Sequence, residues 1–370
     1  MLNIKTYLFA SLLLCGITLT GCDSENGTTE EEFQVSGDGV FILNEGNYQA
    51  GNSTLSYYDP ALKTVENNVF YRANDRKLGD TGQSVSLYGD DVYIAVENSG
   101  IIWKIDAETF KVKGQLETSS TGSKMINPRY IYFINDTKAY VTDLYSPYVN
   151  VFNPQTMQYT KSISTGQTAN FGYASTEEMV KYDKYIFTNC WSYSNKILVI
   201  DTDKDEVCDE IVLSSYQPKS MKIDKNGKIW VITDGGYSGS SYSDDYPCLY
   251  KIDAATRTVE QEQFLDYDEA NVQIALNGSK DVLYLINNDI YKMSVTDAHL
   301  PVRPFINAEV DENGTKHKLY GLNVNPVNGD IYVADAVDYS QAGVIYRYSS
   351  DGTLVDKFTV GIIPNGFCFK

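Results

Sequence analysis

The chain has 370 residues with 49 acidic and 30 basic side chains, a formal net charge of −19, which is the opposite of the basic footprint that nucleic acid or an anionic membrane surface demands. Only His299 and His317 are available for histidine chemistry and no spacing supports them, so both read as surface residues; a Gly-rich phosphate loop, GxSxG and HExxH are absent. These features argue against an enzyme built on a triad, a histidine metal centre or a nucleotide fold.

From the N-terminus, Lys5 precedes an apolar run over 7–14 and a small-residue stretch, Leu19-Thr20-Gly21-Cys22. The run is too short to span a membrane and reads as a signal peptide over 1–21. Cysteine directly after Leu-Thr-Gly resembles the bacterial lipobox, which implies that Cys22 becomes the lipidated first residue; a plain secretory signal is the alternative. Residues 22–36, with Glu30-Glu31-Glu32, read as a flexible acidic tether. An acidic stretch at this place resembles the surface-export signal of Bacteroides-type lipoproteins, and an ordinary solvated linker has the same composition.

Residues 37–370 carry one pattern seven times. A short apolar strand recurs as Phe41-Ile42-Leu43, Val92-Tyr93-Ile94, Ala139-Tyr140-Val141, Tyr185-Ile186-Phe187, Ile229-Trp230-Val231, Leu283-Tyr284-Leu285 and Ile331-Tyr332-Val333. The starts lie roughly 44 to 54 residues apart, the period of blade-like repeats. A second strand follows each and ends on a turn-starter: Tyr58-Asp59, Ile105-Asp106, Phe152-Asn153, Ile200-Asp201, Ile252-Asp253, Met293-Ser294 and Tyr348-Ser349. An apolar segment precedes the pattern at 84–88, 129–133, 179–182, 220–223, 272–276 and 320–324, but not in the first unit, whose strands are expected near 40–43, 54–58 and 65–71. The missing strand is at the far end, where Pro364-Asn365-Gly366-Phe367-Cys368-Phe369 resembles Pro218-Lys219-Ser220-Met221-Lys222-Ile223. An unclosed ring would leave open strand edges. The expected fold is therefore all-β, a seven-bladed β-propeller closed by the C-terminal strand joining blade one. Helical spacing is nearly absent. Asn226-Gly227 and Asn328-Gly329 predict tight hairpins.

With strands labelled a to d outward from the axis, the b–c and d–a loops share one face. The b–c loops are long and aromatic: 44–53 with Tyr48, 143–148 with Tyr145 and Tyr148, 189–194 with Trp191 and Tyr193, 234–247 with Tyr237, Tyr242 and Tyr246, and 335–343 with Tyr339. Phe171, Tyr173 and Tyr216 come from d–a loops on the same face. Tyr and Trp give large contact area at low entropic cost, so this face is the expected ligand-binding surface. A polar ring just beyond the b strands, Asn44, Glu97, Asp143, Asn189, Asp234, Asn287 and Asp335, either caps the following turns or presents groups to a ligand or a hard cation; Asn44 and Asn189 join the binding candidates. Paired acids such as Asp244-Asp245 do not make an acid/base pair without geometry. Beyond Cys15 and Cys22, the cysteines Cys190, Cys208, Cys248 and Cys368 allow three disulfide pairings; Cys190 and Cys208 are nearest in sequence, and Cys368 reads as a buried thiol.

The stretch Phe41-Ile42-Leu43-Asn44-Glu45-Gly46-Asn47-Tyr48, then Ser53-Thr54-Leu55-Ser56-Tyr57-Tyr58-Asp59, with the repeated Ile-Asp turns and the lipobox, resembles the YncE-like propeller lipoproteins of gut Bacteroidetes, most closely the BtuG-type surface proteins. The resemblance implies a lipid-anchored outer-membrane protein at the cell surface. Its bound ligand would be cobalamin (vitamin B12) or a related corrinoid, with no catalytic cofactor and no metal, and its partner a TonB-dependent outer-membrane transporter of BtuB type. A propeller holding a glycan or partner protein on the same face is the rival expectation, and a lyase- or lactonase-type propeller with a carboxylate-held metal is a third.

Overall fold

In the computed structural model the described residues are 35, 37–166, 175–236, 246–265, 271–310, 314 and 316–370, all within the unit Phe33–Lys370. Seven antiparallel sheets follow one another along the chain, six of four strands and one of three. The inner strands are Gly82–Tyr88, Pro128–Asn135, Met179–Tyr182, Pro218–Ile223, Val272–Leu276, Leu319–Val324 and, for blade one, Pro364–Phe369. That last strand pairs with Val40–Asn44 (Phe41 opposite Cys368, Ile42 opposite Phe367), so the ring closes as expected. The seam is held further by Tyr58 of blade one, whose ring stacks on Phe358 at 4.1 Å and whose hydroxyl donates to Asp356 at 2.7 Å.

The b strands, Val40–Asn44, Asp91–Val96, Lys138–Asp143, Tyr185–Cys190, Lys228–Thr233, Val282–Asn287 and Ile331–Asp335, contain all seven apolar triplets. They are almost wholly buried because neighbouring blades cover both faces, which is why their sequence is apolar without alternation. The turn-starters do what their chemistry predicts. Asp59 Oδ1 accepts the N–H of Ala61 and Leu62 at 2.8 and 2.9 Å, and Asp106, Asn153 and Asp201 repeat the arrangement.

Blade one departs from expectation at 65–71. The outer strand is only Thr64–Glu66, and a short helix, Val69–Asn74, replaces the rest. Asn68 sits at φ 58°, which ends the extended run, and the helix buries Val69, Phe70 and Ala73 against the blade one–blade two core, Phe70 lying 5.4 Å from Trp103. Both Asn-Gly sites are a–b hairpins, but the turns are longer than two residues because Asp224 and Asn325 start Asx turns: Asp224 Oδ1 accepts from Asn226 and Lys228, and Asn325 Oδ1 from Val327 and Asn328. Blade six has no regular fourth strand among the described residues; an isolated bridge between Ile290 and Ile306 stands in its place.

All four described cysteines are free thiols. Cys190 and Cys208 lie in strands separated by a third, Lys196–Asp201, and two strand spacings come to about 9.5 Å, beyond disulfide reach. Among the described residues no helix is long and apolar enough to cross a membrane.

Candidate functional site: an axial cavity

Five of the seven inner strands begin with the same irregularity. Pairing with the b strand skips one residue near the strand's start, at Gln83, within Arg129-Tyr130, and at Lys219, Tyr320 and Asn365. Such a bulge turns a side chain out of the alternating pattern. Here the side chains are turned toward the axis. With Glu177 and Glu178 ahead of Met179–Tyr182, Asn271 ahead of Val272–Leu276, and Glu45 and Glu97 just past their b strands, they line a cavity of about 400 Å³ on the face shared by the b–c and d–a loops.

Its wall has two arcs. Across blades two to four, Arg129 is the centre: its guanidinium pairs with Glu97, donates from Nε to both oxygens of Glu177 at 3.1 and 2.8 Å, and donates to Gln83 Oε1 at 2.7 Å. Gln83 in turn donates to the Tyr130 hydroxyl at 3.2 Å, so the arc satisfies itself. Carboxylates on two sides hold Arg129 firmly charged against burial, whereas burial pushes Glu177 up to about 7 despite the arginine. The second arc runs through blades five, six, seven and one. Lys219 Nζ donates to Asn271 Oδ1, Asn271 Nδ2 donates to the Tyr320 carbonyl, and the Tyr320 hydroxyl donates to Glu45 Oε2 at 2.9 Å. Burial lowers the Lys219 pKa and raises that of Glu45 to about 6. Glu178 is committed elsewhere, accepting from Met221 N–H at 2.7 Å and pairing with Lys222 at 2.5 Å.

Of the residues expected at the site, Tyr48, Tyr145 and Trp191 rim this cavity. Tyr48 is 59% exposed and Tyr145 37%, while Trp191 is anchored by Nε1 donating to Asp234 Oδ2 at 2.9 Å. Trp191 and Tyr145 also line an adjoining hollow with Tyr193 and Gln217. Tyr339 packs edge-on against Tyr320 at 5.8 Å, and its carbonyl accepts from Asn47 at 2.5 Å, so it backs the wall. Tyr148 is half-buried at the start of Tyr148–Asn153 and Tyr246 is exposed; neither lines the cavity. Phe171, Tyr173, Tyr237, Tyr242 and Cys22 lie outside the described residues.

The polar ring beyond the b strands divides. Glu97 lines the cavity, and Asp234 holds Trp191 and accepts from Gln217 at 3.1 Å. Asn44 and Asn189 are fully buried, their amides donating to Thr54, Ser56 and the Pro218 carbonyl. Asp143 caps backbone N–H groups of Ile126, Asn127, Tyr145 and Ser146, shaping the loop that presents Tyr145. Asp335 accepts from Val337 N–H and contacts His317 Nδ1 at 2.5 Å, so this histidine is half-buried and tethered where the sequence suggested a surface one. No hydroxyl or thiol nucleophile is hydrogen-bonded to its Nε2 among the described residues. Nor, among them, does any group of three His, Cys, Asp or Glu have the arrangement to hold a metal ion.

Residues 38–369 match the family described as a domain of unknown function (DUF5074). The chain belongs to the DUF5074 family. Its repeat architecture is shared with solved structures at low identity. A quinonprotein alcohol dehydrogenase-like protein from Bacteroides thetaiotaomicron superposes with a TM-score of 0.64 at 17% identity, over 89% of this chain and 77% of that one. Hydrazine synthase from Kuenenia stuttgartiensis gives 0.61 at 17%, over 78% and 89%. At that identity the likeness extends to the fold alone. No curated protein gives a significant match.

The charged wall of this DUF5074 propeller was missed because Glu45, Arg129, Glu177 and Lys219 are far apart in sequence and follow no motif spacing. A signal was nonetheless present. When the seven units are aligned on their inner strands, Gln83, Arg129, Lys219, Tyr320 and Asn365 share the second position, where a blade's innermost strand approaches the axis.

Proposed function

We propose that the protein is a binding protein whose axial face captures a cobalamin-type corrinoid at the cell surface, anchored there through Cys22, and passes it to a TonB-dependent outer-membrane transporter. The observation that carries the binding reading is an aromatic rim, Tyr48, Tyr145 and Trp191, over a deep polar cavity lined by charges and amides. A corrinoid has that division: an apolar macrocycle edge suited to aromatic rings and a fringe of amides suited to polar groups. A cavity of about 400 Å³ is too small for the macrocycle, which would lie across the rim with part of its fringe below. The lipobox and the Bacteroidetes resemblance support the surface location and the transporter.

Titration of residues 33–370 with cyanocobalamin in a calorimeter tests this. One-to-one binding, weakened at least tenfold by Trp191→Ala or Tyr145→Ala, is expected. Absence of heat, together with no comigration of the red ligand on a sizing column, sinks the corrinoid reading and brings a glycan panel forward.

A further inference from the structure

The two arcs of the cavity differ in what they leave over. Around Arg129 every charge has a counter-charge in contact. At the ends of the other arc stand one cation and one carboxylate with spare capacity. Lys219 Nζ has three protons and one protein acceptor, the neutral Asn271, with no ion pair among the described residues. Glu45 accepts a single side-chain hydrogen bond, from Tyr320 on Oε2, and its Oε1 has no partner among the described residues. Both groups line the cavity and feel each other's charge across it without touching, Lys219 feeling that of Asp234 more strongly.

An anion drawn to Lys219 would also face Glu45, Glu97, Glu177 and Glu178, four carboxylates against two cations. A cation drawn to Glu45 would face Lys219 and Arg129. A neutral group carrying a donor at one end and an acceptor at the other satisfies both without adding charge. Hydroxyls meet that description, but the rest of the wall favours an amide. Gln273 Nε2 and the side-chain amide of Asn365 line the same space without a hydrogen-bond partner among the described residues, Gln273 Oε1 being taken by Leu322 N–H. Amides pair with amides through complementary N–H and C=O groups.

We infer that the arc from Lys219 to Glu45 is a clamp for a neutral primary carboxamide, whose N–H donates to Glu45 and whose carbonyl accepts from Lys219, and that the cavity rejects the corresponding carboxylate. The clamp rests on the corrinoid reading only for the identity of the molecule that brings the amide.

Nicotinamide and nicotinate, alike in shape and differing in this group, are the probes, followed by saturation-transfer NMR on the protein at pH 7.5. Nicotinamide is expected to give a signal at least tenfold stronger than nicotinate. Lys219→Met and Glu45→Met should each cut it about tenfold, the loss of one charge-assisted hydrogen bond. Equal or stronger binding of nicotinate overturns the clamp, as does no binding of either probe; both comparisons need only the wild-type chain. Cyanocobalamin is titrated in parallel. Nicotinamide binding without cyanocobalamin binding keeps the clamp and removes the corrinoid reading, whereas cyanocobalamin binding untouched by both substitutions, with no nicotinamide binding, removes the clamp and keeps that reading.

Discussion

Glu45 shows how much of the site is decided by burial. The groups facing it are the Tyr320 hydroxyl, Arg129, Lys219 and Glu97, and desolvation outweighs the favourable ones to raise its carboxyl to about 6. The unfolded chain releases this proton near the ordinary 4.5, so between about 4.5 and 6 the folded form retains a proton the unfolded form has lost. Stability therefore falls as pH rises through that window, by about 2 kcal/mol. Glu45→Gln keeps an acceptor for Tyr320 and abolishes the titration. Urea unfolding at pH 4.5 and 7 should show the wild type losing about 2 kcal/mol more than the variant over that interval; equal losses would contradict the burial argument. Thiol reactivity is a second residue-scale test. Burial pushes Cys190 and Cys368 up to about 12 and Cys248 up to about 11, whereas Cys208 is exposed on an outer strand. In residues 33–370 a thiol reagent should label one cysteine in the native state and four after denaturation. Two or more labelled in the native state would mean the buried set is wrongly placed.

Outer strands carry their own repeated device. Pairing between strands c and d skips one residue in five blades, at Lys113, Thr160, Cys208, Glu260 and Val355. These bulges kink the exposed edges and discourage edge-to-edge association. They also explain what was legible at this scale. Strands b and c were readable because burial makes them apolar and Asx turns end them, as with Ile200-Asp201. Bulges leave no periodic mark, so the turn of Lys219 toward the axis was not legible although its position recurs from unit to unit, and a short apolar run such as Val69-Phe70 does not distinguish strand from helix. The closing strand was readable because Pro364-Asn365-Gly366 repeats the opening of another unit. Truncation after Ile363 tests its role: it strips the inner neighbour from Val40–Asn44 and uncovers Phe41 and Ile42. The shortened chain should lose its cooperative melt and elute as aggregate on sizing. A monomer with unchanged melting would contradict closure by this strand.

Across the whole molecule, the ring of seven blades converts local repeats into the wall of an axial cavity. That aromatic loops such as 143–148 and 189–194 share one face was legible, and Tyr145 and Trp191 from those loops rim the axial cavity. The cavity wall was not, because it joins residues as distant as Glu45 and Tyr320, brought together only by ring closure. The central claim is that ligand binds at this end of the axis, over Tyr48, Tyr145 and Trp191. A crystal structure of the protein grown with cyanocobalamin tests it most directly. Density for the corrin across those three side chains, with a carboxamide between Glu45 and Lys219, is the predicted result; density at any other surface, or an axial face empty at saturating ligand, would contradict it.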